Sequence, residues 1–256
     1  MNNRTLIITG CSSYLIFLLL LVPANQILTV FKPTLNNITL NGISGSIWSG
    51  SIQSLSVKNQ LLNTTSWSLK PLSLLSANIG LDLETEIAGQ KLVSKLNYSL
   101  ITKSVSLSQL HSLIDASAIQ ALLQLPFGEL NGNIELSLQQ LQLMPGKLPV
   151  VTGKVNWDNA LINLYSSINL GNLSLDLSSA DNGDITGALA NSGGEVSISG
   201  QIKVSSNKRY HLDLRLKPRS NASKDLLNIL SMVAPKKIKS EHVLNRSGQL
   251  SEFGIL

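Results

Sequence analysis

A single cysteine, Cys11, in 256 residues leaves no partner for an internal disulfide, so a cross-linked scaffold is excluded. Aromatic side chains are scarce at 4% and charged ones make up only 14%. The core must therefore come from Leu, Ile and Val, each contributing very roughly 1.5–3 kcal/mol when fully buried. Histidine is equally sparse. His111, His211 and His242 lie in no local nucleophile signature, and the lone thiol sits in an uncharged run, so no catalytic triad can be assembled. Asp82, Glu84 and Glu86 fall on one face of an alternating stretch with no histidine near them in sequence, and read as solvated carboxylates rather than metal ligands. Gly183 to Gly187 lacks the lysine and the helix of a phosphate loop. Lys208-Arg209-Tyr210-His211 is too short and too poor in aromatics for a nucleic-acid surface. The residues thus point to no catalytic group, cofactor, metal, nucleic acid or small-molecule substrate.

Charge is missing altogether from Thr5 to Phe31. The densest apolar part of this run is Tyr14, Leu15, Ile16, Phe17, Leu18, Leu19, Leu20, Leu21 and Val22. A helix over residues 6–27 would be about 33 Å long at ~1.5 Å per residue, enough to cross a hydrocarbon layer of about 30 Å. Arg4 precedes the run and Lys32 follows it, a slight bias toward a cytoplasmic N-terminus. The expected organisation is a cytoplasmic segment 1–5, a transmembrane signal anchor 6–27, a linker 28–41 and a β-rich domain 42–256. A competing reading is a cleaved signal peptide, because Val22-Pro23-Ala24 offers small residues to a peptidase. Lipidation of Cys11 is disfavoured, since its apolar run lies after the cysteine and not before it. The charge that exists is uneven: residues 201–256 carry eleven Lys/Arg against four Asp/Glu, whereas the rest of the chain is slightly acidic. A basic C-terminal part suits an anionic membrane surface or an acidic protein patch.

Beyond the linker the period is two. Ile79, Leu81, Leu83 and Ile87 interleave with Asn78, Gly80, Asp82, Glu84 and Glu86, and Leu92, Leu96, Tyr98 and Leu100 alternate in the next stretch, as in a hairpin. The same alternation recurs at Ile134-Leu136-Leu138, Leu173-Leu175-Leu177, Val196-Ile198, Ile202-Val204 and Leu212-Leu214-Leu216. Turn-forming clusters at 181–184 and 191–194 separate some of these strands. Two stretches switch to helical spacing. One is capped by Ser112 with Asp115 and carries Leu113 to Leu123; the other is capped by Ser220 or Asn221 and carries Leu226 to Val233. The expected fold is mainly β: a curved, largely antiparallel sheet forming an open barrel, groove or sandwich, with two short helices. Gly45, Gly132, Gly153, Gly200 and Gly248 each precede a residue and then an aliphatic side chain, which suggests strand starts that bend.

Two short motifs carry a resemblance. Gly45-Ser-Ile-Trp48-Ser-Gly50, followed by Trp67-Ser-Leu-Lys-Pro71-Leu-Ser-Leu-Leu75, resembles the early signature of type II secretion system protein N, the general secretion pathway protein N family. The resemblance implies a non-enzymatic, single-pass protein of the Gram-negative inner membrane with its bulk in the periplasm. Its implied partners are other subunits of the secretion apparatus, the inner-membrane platform first and the secretin as a further candidate, together with inner-membrane lipid. Gly45, Trp48, Gly50, Trp67 and Pro71 are expected to be structural, with Trp48 anchoring the first strand. The runner-up reading is a membrane-tethered periplasmic lipid-binding or lipid-transfer groove of AsmA-like kind, in which an apolar sheet face left uncovered by protein would take lipid.

Overall fold

The computed structural model describes residues 10, 13–14, 21–26, 38–57, 60–87, 90–123, 128–164 and 166–253. Among the described residues the protein is mainly β, with antiparallel strand pairs and few short helices. Its contacts fall into two compact units, Met1–Lys91 and Leu92–Leu256, where one β domain was expected.

The first unit is a meander of β1 (Ile38–Gly45), β2 (Ser49–Val57), β3 (Gln60–Lys70) and β4 (Asn78–Ile87), with a 3-10 turn, Pro71–Ser76, between the last two. The first strand begins inside the stretch read as linker: Ile38 pairs with Val57 and Leu40 with Leu55, so the ladder continues upstream of residue 42. Among the described residues no helix is long and apolar enough to cross a membrane. Leu15 to Leu20, the centre of the expected span, lie outside the described residues.

The second unit begins within β5 (Gln90–Ser99) and continues through β6 (Val105–Asp115), β7 (Glu129–Leu143), β8 (Val150–Asn163), β9 (Ser167–Ser179), β10 (Ile185–Ser192), β11 (Val196–Val204) and β12 (Arg209–Pro218). A short β13 (Lys237–Ile238) and β14 (Glu241–Gln249) complete it, with β14 beside β12 and β13 outermost. Neighbours in sequence are otherwise neighbours in space. Register then decides the faces. Leu92, Ser112, Leu136, Val155, Leu175, Leu189, Gly200, Leu214 and Leu244 stand opposite one another from strand to strand and form one apolar rung across the unit. The next residues along each strand build the other face, where His111, Ser137, Lys154, Asp176, Ala188, Gln201, Asp213 and Asn245 are successive partners. Directly opposed residues share a face, so alternation in the sequence becomes one greasy and one wet surface.

Two helices interrupt the meander, α1 (Ala116–Leu123) and α2 (Lys224–Val233). α1 starts on the fully buried Ala116 and packs against β7, and α2 covers part of the apolar face. Its Leu226 and Leu230 bury against Ile168, Val196, Ile198 and Leu216, with Ala234 fully enclosed behind them. The expected caps differ from the observed ones. Ser112 to Asp115 extend β6, because Ser112, Leu113 and Ile114 pair with Leu136, Glu135 and Ile134, and α1 starts only at Ala116. The N-cap of α2 is Ser223, whose hydroxyl accepts from Leu226 N at 3.3 Å, rather than Ser220 or Asn221. The glycines Gly132, Gly153, Gly200 and Gly248 lie inside strands, and Gly45 ends one.

Two stability outcomes follow. Leu230→Ala should lower the unfolding free energy by about 2–5 kcal/mol, since it empties a 5%-exposed site between helix and sheet. Ser112 is 1% exposed and its hydroxyl has no hydrogen-bond partner among the described residues. Ser112→Ala should therefore be neutral or stabilising, by up to about 1 kcal/mol, in urea denaturation of the same protein.

Candidate functional site

The motif residues meet at one end of the first unit. Gly45 pairs with Gly50, Gly50 with Trp67 and Trp67 with Leu83, so two glycines and an indole occupy one rung across four strands. A Cβ at Gly50 would overlap the Trp67 ring and lie 2.5 Å from the Ser44 carbonyl oxygen. Gly45 has φ +88° and faces Ser49 O and Gly50 Cα at 2.5 and 2.7 Å from where a Cβ would stand. Only hydrogen fits at either position. The space at Gly50 therefore receives the Trp67 ring, while Trp48, expected to anchor the first strand, sits half-buried in the turn between β1 and β2. The Trp67 indole N–H donates to Ile47 O at 3.2 Å, and Leu69 N donates to Trp48 O at 2.6 Å. Trp157 makes a comparable bond, its indole N–H donating to Asn131 O on the adjacent strand at 2.9 Å.

Residues 22–24 come to the same end. Ile47 N donates to Val22 O at 3.2 Å, Pro23 bridges to Ser46, and Ala24 is only 2% exposed. Ala24, Ile47, Ile52, Thr65, Trp67, Leu81 and Leu83 line an apolar cavity of about 320 Å³. Its polar content is small: the Thr65 hydroxyl bonds the Thr85 hydroxyl at 2.7 Å. Such a cavity suits an apolar group and offers nothing to hold a charged or reacting one.

Pro71 opens the 3-10 turn that follows. Ser73 fixes that turn, its hydroxyl donating to Lys70 O at 2.6 Å and accepting from Gly80 N at 2.8 Å. Lys70 pairs with Asp82 at 2.8 Å, both half-exposed and worth little individually. None of the turn's own residues is buried, and Leu72 and Leu75 are 79% and 86% exposed.

A family model for type II secretion system (T2SS) protein N matches residues 36–240. The chain belongs to that family. Neither the curated proteins nor the solved structures yield a match. The protein N match covers the rung of Gly45, Gly50 and Trp67, the Pro71 turn and nearly all of the second unit. Of the expected motif, the structure thus brings Gly45, Gly50 and Trp67 into contact, with Trp48 and Pro71 on the connections that flank them. The exposed Leu72, Leu74 and Leu75 are what sequence reasoning missed, because Leu-Ser-Leu-Leu is indistinguishable from a core segment until its turn is placed.

Several polar groups elsewhere among the described residues fasten the fold. Among the described residues no three His, Cys, Asp or Glu side chains converge as metal ligands. His111 Nδ1 lies 3.0 Å from Ser137 Oγ across β6 and β7, on the wet face. Asp184 is held below the ordinary carboxylate range chiefly by Lys203, 2.9 Å away, and by the Ser206 N–H that donates to it. Glu195 is pushed up by burial, but the Ser223 backbone and hydroxyl and the Asn169 N–H more than offset this and leave its carboxyl low. Both carboxylates fasten strand connections: Asp184 ties the β9–β10 turn to the β11–β12 turn, and Glu195 docks the start of α2. Of the basic surplus, Lys236, Lys237 and Lys239 are exposed beside Met232, Val233 and Ile238, also exposed.

Gly50→Ala should destabilise the first unit by about 1–3 kcal/mol through overpacking against Trp67, read as a lower thermal midpoint with a loss of tryptophan near-UV dichroism. For Asp184, the folded carboxyl is the stronger acid, so its contribution is present above the ordinary carboxylate range and disappears as pH falls through it. Urea midpoints of the wild type should drop on acidification, and Asp184→Asn should flatten part of that drop while lowering the midpoint at neutral pH.

Proposed function

We propose that this protein is a single-pass inner-membrane subunit, anchored by the apolar run that precedes Val22 and Pro23, which leave the helix to join the folded unit, with its β-rich bulk in the periplasm. It supports secretion by contacts with other subunits and not by catalysis. The family match over residues 36–240 carries the assignment to type II secretion as an accessory component. Retention of the anchor is supported by Val22, Pro23 and Ala24, which are built into the folded unit through Ile47, Ser46 and the apolar cavity. Peptidase cleavage after Ala24 would remove those contacts. Contact rather than chemistry is supported by the site itself, where a rung of glycines, an indole and aliphatic side chains offers no nucleophile or general base.

A second reading rests on a different observation. In the central rung of the second unit Leu136, Val155, Leu175, Leu189, Leu214 and Leu244 are all only half-buried, although they face the apolar side. A sheet that leaves such a rung partly open has the character of a lipid groove.

Deleting the gene should reduce release of a type II substrate into the medium, with the substrate accumulating in the periplasm. Photo-crosslinkers on the exposed faces should capture platform subunits; normal release together with no capture would sink the primary reading. Intact mass of the membrane-extracted protein should correspond to the full chain rather than to one lacking its first 24 residues. For the second reading, native mass spectrometry of the purified full chain should show a retained phospholipid that survives delipidating washes.

A further inference from the structure

The exposed leucines and the residues leading out of the anchor belong to the same end of one sheet. Ser49 opens β2 and pairs with Ser68, near the end of β3, so the β1–β2 turn at residues 46–48 and the chain leaving β3 at Lys70 emerge together. The bond from Leu69 N to Trp48 O ties the two. To this turn the segment 22–24 attaches, through Ile47 N to Val22 O and the Pro23–Ser46 bridge. From the same end projects the 3-10 turn carrying Leu72, Leu74 and Leu75, exposed by 79%, 42% and 86%. The Ser73 hydroxyl holds the backbone at both sides, and Ala77 closes the turn in a left-handed conformation with its N–H on Leu74 O. Three large aliphatic side chains are thus presented on a braced scaffold and not on a loose loop. Soluble surfaces scatter single leucines; three within four residues on a fixed turn mark a contact.

We propose that Leu72, Leu74 and Leu75 insert into the interfacial layer of the same bilayer that holds the anchor, giving the first unit a second point of attachment and a fixed orientation. The inference rests on the anchor reading above. Residues 22–24 would leave the hydrocarbon at the point where they meet Ser46 and Ile47, which places the leucine turn at headgroup depth. Apolar side chains there bury several ångströms into the headgroup and acyl boundary. Lys70, immediately before the turn, is exposed with its ammonium paired to Asp82 at 2.8 Å, so the charges next to the leucines neutralise one another and do not oppose insertion.

The test uses the full chain in nanodiscs of phosphatidylethanolamine and phosphatidylglycerol, with Cys11→Ser and an environment-sensitive fluorophore on Leu75→Cys. The same label on Gln53→Cys, exposed part-way along β2, is the control. The expected result is a blue-shifted emission at position 75 that is quenched by nitroxide lipid and shielded from aqueous iodide, with position 53 showing the reverse. Adding Leu72→Ser and Leu74→Ser should move the position 75 emission back toward that of water. A disc-bound chain whose position 75 label behaves as in water overturns the leucine contact and leaves the anchor standing. A chain that separates from the disc overturns both. Shielding that requires addition of other secretion subunits overturns the lipid assignment in favour of a protein groove.

Discussion

Strand register is the constraint on which the rest of the molecule depends. A period of two in the sequence yields one apolar face only if every neighbouring strand is paired in phase. The rung from Leu92 to Leu244 stays in phase through eight successive pairings. One-residue register shifts occur elsewhere along these strands, between Val93 and Lys95, between Asn131 and Asn133, between Leu138 and Gln140 and on both sides of Ala160, and none falls on the rung itself. Where the face would become too crowded, glycine takes a rung position. A Cβ on Gly153 would stand 2.6 Å from Leu138 Cα, and one on Gly187 would stand 2.8 Å from the Ile202 side chain. Gly153 and Gly187 are thus spaces kept open for a facing leucine and isoleucine, whereas Gly132 and Gly171 sit at positive φ against neighbouring backbone.

Polar side chains repair what the regular ladder leaves unpaired. Asn191 lies at the tip of β10, where its amide donates to Leu170 O at 2.6 Å and Val196 O at 2.8 Å and its oxygen accepts from Ile198 N at 2.7 Å. One side chain thereby joins three strands around a turn that contains Gly193 and Gly194 at positive φ. Glu195, next to them, fastens α2 through Ser223. The helix that covers part of the apolar face is consequently held by the same turn that ends the strands beneath it.

The sequence made the strands legible because alternation is a local signal and survives without knowledge of partners. β4, β7, β9, β11 and β12 all lie where their alternating leucines and isoleucines place them. The caps were not legible. Ser112 with Asp115 has the spacing of a capping box, yet four cross-strand pairings with β7 outweigh a single cap bond and draw that stretch into β6. The motif was legible as a family resemblance but not as geometry: the glycines flank Trp48 in sequence, whereas register sets Gly50 against Trp67. Pairing across the sheet is a tertiary fact, and only a short-range pattern reports itself in the chain.

Strand order has a further consequence for how the molecule is made. Within each unit, apart from the exchange of β13 and β14 at the edge, every strand lies beside the one synthesised just before it. Loops are short and closure entropy per added strand is correspondingly small. Such a chain has no need to wait for its C-terminus: each new segment finds a finished template, and assembly can keep pace with delivery from one end. The last element to gain its full cover is the region under α2, since Leu226 and Leu230 arrive after the strands that they seal.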